Sequence, residues 1–408
     1  MYIKRFLESQ VLAASEQYPV VLVCGQRQVG KSTMLYHIKE GNRRYVSLDD
    51  SQARHLALTD PALFFETYGT PLFIDEFQRA PGILLEIKRI VDEKALKGED
   101  ANGLFWLTGS QKFMMMKDVS ESLAGRIAIF EMSGLSNREI RGCEQETFIP
   151  DIEKLKKESA KSEREDIHKV FEHIFQGGMP KIIASDIDRN HYYMDYINTY
   201  INRDVRDLAQ VGKIDEFNQF LIYMAANTAQ ELKYDAISKE IGVSAPTIKH
   251  WVSILETSGL VFILRPYFPK ITNRFVKTPK CYFTDTGLAA YLTRWPDANT
   301  LENGNAAGAF FETFVITEIL KSRMNAGVEP GMYYYRDIDQ REIDLIIEDG
   351  RLLYPIEIKK AKNPFVKERN LKVLNKSERD VKPAVVLCMT DEFVPLNKDI
   401  WLCPISVI

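Results

Sequence analysis

Val20–Thr33 reads V-V-L-V-C-G-Q-R-Q-V-G-K-S-T, and its reading decides the fold. A short apolar run ends at Gly25, and K-S-T-M-L-Y-H-I-K-E then follows with a helical pattern. The stretch therefore reads as a buried strand, a turn and a helix N-terminus. Backbone N–H groups of such a turn, here from Gly25, Gln26, Arg27, Gln28, Val29, Gly30, Lys31, Ser32 and Thr33, converge on phosphate oxygens. Gly25 and Gly30 let the backbone bend and approach closely with no Cβ in the way. Lys31 brings a point charge for the β- and γ-phosphates, and Ser32 offers its hydroxyl to Mg²⁺.

Working outward, strand and helix patterns alternate from 20 to 132. Strands are expected at Val20–Cys24, Arg44–Leu48, Leu72–Ile74, Leu104–Thr108 and Ile127–Met132, with a helix at Ile83–Glu93. This alternation argues a parallel sheet covered on both faces, with ligand bound at the strands' carboxyl ends. P-L-F-I-D-E-F-Q at 71–78 delivers two carboxylates at a strand end: Asp75 to hold Mg²⁺ through water, Glu76 to polarise the attacking water. In F-W-L-T-G-S-Q at 105–111, Ser110 or Gln111 is placed between those carboxylates and the γ-phosphate, or forms a plain turn. Arg126 either senses γ-phosphate charge, in cis or across a subunit boundary, or is a surface arginine before a strand. Asp49 and Asp50 end a strand near the site or cap the next helix.

The 408 residues suggest two to three domains, and a net charge of −4 excludes a global basic field. The five cysteines are scattered with no C-x-x-C pair, which argues against thiolate metal sites and disulfides and fits a cytoplasmic protein. No apolar run approaches the ~18 residues of a membrane span, so no membrane contact is expected.

Residues 151–169 are charge-dense and read as a solvated helix or linker. Gln176–Pro180, Q-G-G-M-P, is a turn. Arg203 and Arg206 follow on a helix, either touching nucleotide or nucleic acid or forming a salt-bridge network. Ile237–Leu260 has helix-turn-helix spacing. One helix ends at Gly242, Ser244 caps the next, and Ile248, Trp251, Val252 and Leu255 make its buried face. Thr247, Lys249 and His250 lie at the exposed start of that second helix. A hairpin wing after it carries Arg265, Lys270, Arg274, Lys277 and Lys280, a local basic cluster suited to DNA phosphates; the alternative is a lid or protein-binding module.

Residues 308–323 form a helix in which Glu312 and Glu318 fall among apolar positions, costly unless paired or metal-bound. R-E-I-D-L-I-I-E and L-L-Y-P-I-E-I-K then flank Asp349-Gly350, a hairpin signal. Alternation groups Ile343, Leu345 and Ile347 on one face, with Glu342 and Asp344 on the other. A turn centred on Asp349-Gly350 pairs Asp344 with Pro355 and leaves Glu357 diagonal to it at about 7–8 Å. Asp344 and Glu357 then share a divalent metal, Glu312 completes the shell, and Lys359 orients water or stabilises charge on a phosphodiester. An ordinary polar hairpin face is the alternative.

The chain resembles the prokaryotic AAA-like P-loop ATPases that carry a C-terminal domain of unknown function with a restriction-endonuclease-like core. G-Q-R-Q-V-G-K-S-T, S-L-D-D, L-F-I-D-E-F-Q, L-T-G-S-Q, S-L-A-G-R, I-N-R-D-V, L-E-T-S-G-L, T-P-K-C-Y-F-T-D-T-G-L, G-A-F-F-E, E-I-D-L-I-I and E-I-K carry the resemblance. It implies an α/β chain with a P-loop parallel-sheet ATPase domain (1–150), a helical and winged-helix middle (151–300) and a restriction-endonuclease-like α/β domain (301–408). It also implies ATP–Mg²⁺ roles for Gly25, Gly30, Lys31, Ser32, Asp75 and Glu76, and PD-(D/E)xK nuclease roles for Glu312, Asp344, Glu357 and Lys359. The expected function is an ATP hydrolase coupled to DNA binding or processing. The alternative is a nucleotide-dependent switch or scaffold acting on a protein partner, with a degenerate nuclease-like end. A homo-oligomer is left open, as is the source of any arginine finger.

Overall fold

A computed structural model gives the architecture of residues 1–110, 122–144, 146–205, 214–268, 278–376 and 378–408; for 202–205, 375 and 376 only the backbone is described. In the N-terminal part, β1 (Val20–Cys24), β2 (Arg44–Ser47), β3 (Leu72–Asp75), β4 (Phe105–Gly109) and β5 (Ile127–Glu131) form one sheet. Its order is β2-β3-β4-β1-β5, and every pairing is parallel. The central strands are apolar runs because helices cover both faces. Val20 and Leu22 enter one core with Phe64, Ile74 and Leu107, while Val21 and Val23 enter another with Phe73 and Trp106. Cys24 lies beside both Gly109 and Glu131, so the carboxyl ends of β1, β4 and β5 are level and the turn after β1 opens there.

The middle part contains the expected helix pair, Tyr234–Ile241 and Ala245–Thr257. Gly242 ends the first with φ 78°, and the Ser244 hydroxyl accepts the Thr247 N–H to start the second. Ile248, Trp251, Val252 and Leu255 are buried, and Phe217 and Phe220 pack on Trp251 with ring centroids 5.2 and 5.3 Å away. β6 (Gln230–Glu231), β7 (Val261–Pro266) and β8 (Lys280–Phe283) follow as antiparallel neighbours.

The remaining strands are β9 (Met332–Arg336), β10 (Glu342–Asp349), β11 (Leu352–Lys359), β12 (Asp380–Val381), β13 (Ala384–Cys388), β14 (Val394–Asn397) and β15 (Ile400–Pro404). Among the described residues the sheet runs β14-β15-β13-β11-β10-β9-β7-β8-β6, with β12 on β11. β7 pairs in parallel with β9, Arg265 beside Tyr333 and Pro266 beside Tyr334, so the middle hairpin and the C-terminal strands are one sheet. The helix Ala307–Asn325 is buried around most of its circumference. Its Glu318 is paired as burial demands, accepting from the Asn137 N–H at 2.6 Å and Lys321 Nζ at 2.7 Å.

Two local expectations for the β10–β11 hairpin are corrected. Pro355 faces Ile346, not Asp344, because Asp349 and Leu352 are the last pair and the turn centres on Gly350-Arg351. Glu357 therefore continues the ladder directly opposite Asp344. Ile343 also leaves the face of Leu345 and Ile347 and enters a different core with Ile346, because the β9–β10 ladder shifts register between Ile343 and Ile346.

Candidate nucleotide site and a second ionic centre

The turn after β1 has the backbone a phosphate cradle needs. Gly25 (φ 137°) and Gly30 (φ 94°) occupy conformations other residues avoid, and a Cβ on Gly25 would collide with the Met132 carbonyl. Lys31 is buried at the start of the helix Lys31–Ile38, and its Nζ donates to the carbonyls of Gly25 (3.1 Å) and Gln26 (2.6 Å). Burial pulls its pKa down to about 8, against the opposing pull of Glu76, Cys24 and Asp75. Ser32 Oγ donates to Asp75 Oδ1 at 2.6 Å, which joins the two sequence motifs.

Asp75 is the hub. Besides Ser32 it accepts from Thr108 Oγ1 and, at 3.1 Å, from Tyr45 OH. Glu76 has φ 56°, its N–H donates to Thr108 Oγ1 at 3.2 Å, and its carboxylate takes the Gln78 amide and, at 3.4 Å, the Ser110 hydroxyl. Ser110 thus stands beside Glu76, whereas Gln111 lies outside the described residues. Thr108 and Tyr45 were missed: one precedes Gly109-Ser110 in a motif already singled out, the other had no signal. A pocket of about 550 Å³ opens over Lys31, Ser32 and Glu76, closed on one side by Pro180 and Lys181 of the middle part. Arg27 and Thr33 also line it, while Val29 is buried beneath.

Several other expectations move. Arg126 precedes β5, whose Ile127 lies beside Val20, so it sits at the end of the sheet away from the turn, with Nε 2.7 Å from Asp92 Oδ1. A role in cis at this turn is excluded by that polarity. Asp50 caps the helix Ser51–Thr59, and Asp49 pairs with Arg79. Lys249 and His250 are exposed as expected, Thr247 half-buried. Lys270, Arg274 and Lys277 lie outside the described residues, as do Arg206 and the Arg203 side chain. Arg265 faces Glu256 at 4.0 Å.

Lys280 is the largest correction. Expected on a solvated basic wing, it is buried, with Nζ 3.1 Å from Glu312 and 2.6 Å from Glu342. Tyr282 OH also donates to Glu312 at 2.7 Å. Burial works to lower the Lys280 pKa, but Glu312 and Glu342 outweigh it and hold it above the usual ammonium range. Asp344 and Glu357 do meet, sharing Lys359 Nζ at 3.0 and 2.7 Å, and Asp344 also accepts the Ile358 N–H at 2.8 Å. Burial, reinforced by Asp344, raises Glu357 to about 8 against the pull of Lys359. Burial also works to raise Asp344, yet Lys359, Lys280 and the Ile358 N–H leave it below the ordinary carboxylate range. The expected joint metal shell of Glu312, Asp344 and Glu357 is not what the fold assembles: ammonium groups satisfy these carboxylates. Among the described residues no group of three His, Cys, Asp or Glu side chains is placed to hold a metal.

Residues 17–141 match the family described as "AAA domain". The N-terminal part is thus similar to an AAA-type domain, with a parallel α/β sheet and a P-loop-like turn after its first strand. Residues 167–299 and 307–408 match two further families, "Domain of unknown function (DUF8612)" and "Domain of unknown function (DUF4143)". Uncharacterized proteins of Mycobacterium tuberculosis (strain ATCC 25618 / H37Rv) and Mycobacterium bovis (strain ATCC BAA-935 / AF2122/97) are each 25% identical over 366 residues, 89% of this chain and 75% of theirs. The Walker-type ATPase PABY2304 of Pyrococcus abyssi overlaps 71% of this chain and 96% of its own at 14% identity and a TM-score of 0.41. The S. cerevisiae Hsp104–ADP complex overlaps 79% of this chain and 43% of its own at 13% identity and a TM-score of 0.26. Among the described residues, no helix is long and apolar enough to cross a membrane.

Proposed function

We propose that the chain is an ATP-binding protein and Mg-dependent ATPase coupled to DNA binding or processing. The observation that carries this reading is the Ser32–Asp75 hydrogen bond above the Gly25–Ser32 turn. A hydroxyl and a carboxylate at that spacing are a hard oxygen donor set, which fits Mg²⁺. Ser32 and Asp75 would hold the ion, which neutralises phosphate charge when bound. Lys31 turns from the Gly25 and Gln26 carbonyls to the phosphates. Glu76, held by Gln78 and Ser110, accepts the proton of the attacking water. Lys31→Ala is expected to abolish nucleotide binding; hydrolysis at the wild-type rate by that variant overturns the assignment.

The DNA arm rests on the exposed start of Ala245–Thr257, where Lys249 and His250 face solvent. Such an interface is salt-sensitive, because each neutralised phosphate releases counterions. Lys249→Glu should weaken DNA binding and flatten its salt dependence. Binding that ignores salt, or no binding, removes this arm.

One observation favours the second reading, a nucleotide-dependent switch acting on a protein partner with a degenerate nuclease-like end. Lys280 supplies from within the chain the positive charge that a cleavage centre at Glu312 would take from a metal. Incubation of linear and branched DNA with Mg²⁺ or Mn²⁺ separates the two. Cleavage by wild type that is lost in Asp344→Ala supports processing; none by either protein supports the switch.

A further inference from the structure

Gln26, the second residue of the phosphate turn, is pinned at both ends. Its carbonyl takes Lys31 Nζ at 2.6 Å, while its side chain reaches out of the N-terminal part altogether. Gln26 Nε2 donates to the Gly259 carbonyl and, at 2.7 Å, to Thr284 Oγ1. The Thr284 hydroxyl in turn donates to the same Gly259 carbonyl at 2.6 Å, which closes a ring of three hydrogen bonds. Gly259 and Thr284 belong to L-E-T-S-G-L (255–260) and T-D-T-G-L (284–288), two motifs that the proposed chemistry leaves unused. Gly259 follows the helix Ala245–Thr257 with φ 74°, and a Cβ there would crowd Gln26 Cγ at 3.1 Å. Glycine suits both the left-handed backbone and the close approach.

A cavity of about 410 Å³ lies beside this ring, bounded in part by Gln26, Ser133, Gly259 and Thr284. The Gln26 amide therefore has open space to swing into when it leaves its two acceptors. The nucleotide reading requires Lys31 to turn from the Gln26 carbonyl to the phosphates. That carbonyl then faces anionic oxygens with no ammonium between them. Rotation of the peptide relieves the repulsion, because it presents the Arg27 N–H to the phosphate in place of the Gln26 oxygen. The same rotation carries the Gln26 side chain off Gly259 and Thr284. We propose that Gln26 is an autoinhibitory latch: its side chain holds the turn in the arrangement that ties Lys31 down, and nucleotide binding releases the end of the helix Ala245–Thr257. Linkage makes the effect reciprocal, so a partner that draws Gly259 away from Gln26 raises nucleotide affinity. This assignment rests on the nucleotide reading proposed above.

The test is calorimetric binding of a non-hydrolysable ATP analogue with Mg²⁺ to wild type, Gln26→Ala, Thr284→Val and Thr284→Ser, beside amide hydrogen exchange of wild type with and without the analogue. Hydrogen bonds that must break on binding count against affinity. Gln26→Ala should therefore bind the analogue about three- to tenfold more tightly and Thr284→Val about two- to threefold, while Thr284→Ser, which keeps the hydroxyl, matches wild type. In wild type the analogue should speed exchange of the Gly259 and Leu260 amides, which close the helix on the Glu256 and Leu255 carbonyls. A merely structural contact would lower the melting temperature of Gln26→Ala and Thr284→Val and leave their affinity alone. Unchanged or weaker binding by those two variants, or unchanged exchange at Gly259 and Leu260, overturns the latch and leaves the nucleotide reading standing. The exchange measurement uses wild type only, so it decides even where a substitution prevents folding. Failure of wild type to bind the analogue overturns the nucleotide reading itself.

Discussion

Ser32 Oγ lies 2.6 Å from Asp75 Oδ1, although the two residues are 43 positions apart. The contact exists because β1 and β3 end at one level on either side of β4, so the turn after one strand faces the acid closing the other. Asp75→Asn keeps the shape and removes the charge. It should bind nucleotide in EDTA as wild type does, lose the gain in affinity that Mg²⁺ brings, and hydrolyse ATP on the order of a hundredfold more slowly. Calorimetry with and without Mg²⁺, beside a phosphate-release assay, checks all three.

Lys31 gives a pH signature. Burial lowers its pKa to about 8, and phosphate oxygens favour the charged form, so nucleotide binding near that pH must take up protons. Affinity should fall as pH rises from about 7 to about 9. Heats measured in buffers of different ionisation enthalpy will report the uptake. An unchanged proton balance at pH 8 would mean that Lys31 does not meet the phosphates.

Lys280→Met leaves the half-buried Glu312 and Glu342 without the buried counter-ion they share. Removing one partner of such a group costs about 3–5 kcal/mol. Adding Glu312→Leu to the same chain should recover part of that loss, since that uncompensated charge is then gone. Chemical denaturation of both variants measures it; equal stability of Lys280→Met and wild type contradicts the network.

Glu357 gives the C-terminal sheet one pH-dependent contribution. Its folded pKa, about 8, lies above the unfolded value near 4.5, so the folded state binds the extra proton between them. Its contribution is fully present below about pH 4.5 and is lost as pH rises towards and through 8. Glu357→Gln cannot lose that proton. Its melting temperature relative to wild type should therefore climb between about pH 5 and pH 8.5, and thermal scans across that range test the sign.

Much of the N-terminal domain was legible because its central strands are short apolar runs that end in turns. The five strands fall within a residue or two of their expected bounds, and the Gly25–Ser32 turn meets Asp75 and Glu76 as the motif pair required. What escaped was what only three-dimensional pairing decides. Thr108 and Tyr45 reach Asp75 from neighbouring strands, and no spacing in one chain announces that. Lys280 reads as solvated by its basic neighbours, but all four residues of β8 are buried from both faces, and Lys280 lies beside Glu312. Asp344 and Glu357 were correctly brought to one site by alternation, although the register was wrong, because a turn centred one residue later slides the second strand past the first.

The shared ladder of β7 and β9 sets how this chain can be divided. A cut between residues 300 and 301 looks natural from the motifs, yet it would separate Arg265 and Pro266 from Tyr333 and Tyr334. Each fragment would then carry a raw strand flank with unsatisfied amides, a template for sticking to its neighbours. The hairpin of the middle part and the C-terminal strands are better handled as a single expression unit, since one ladder runs through both.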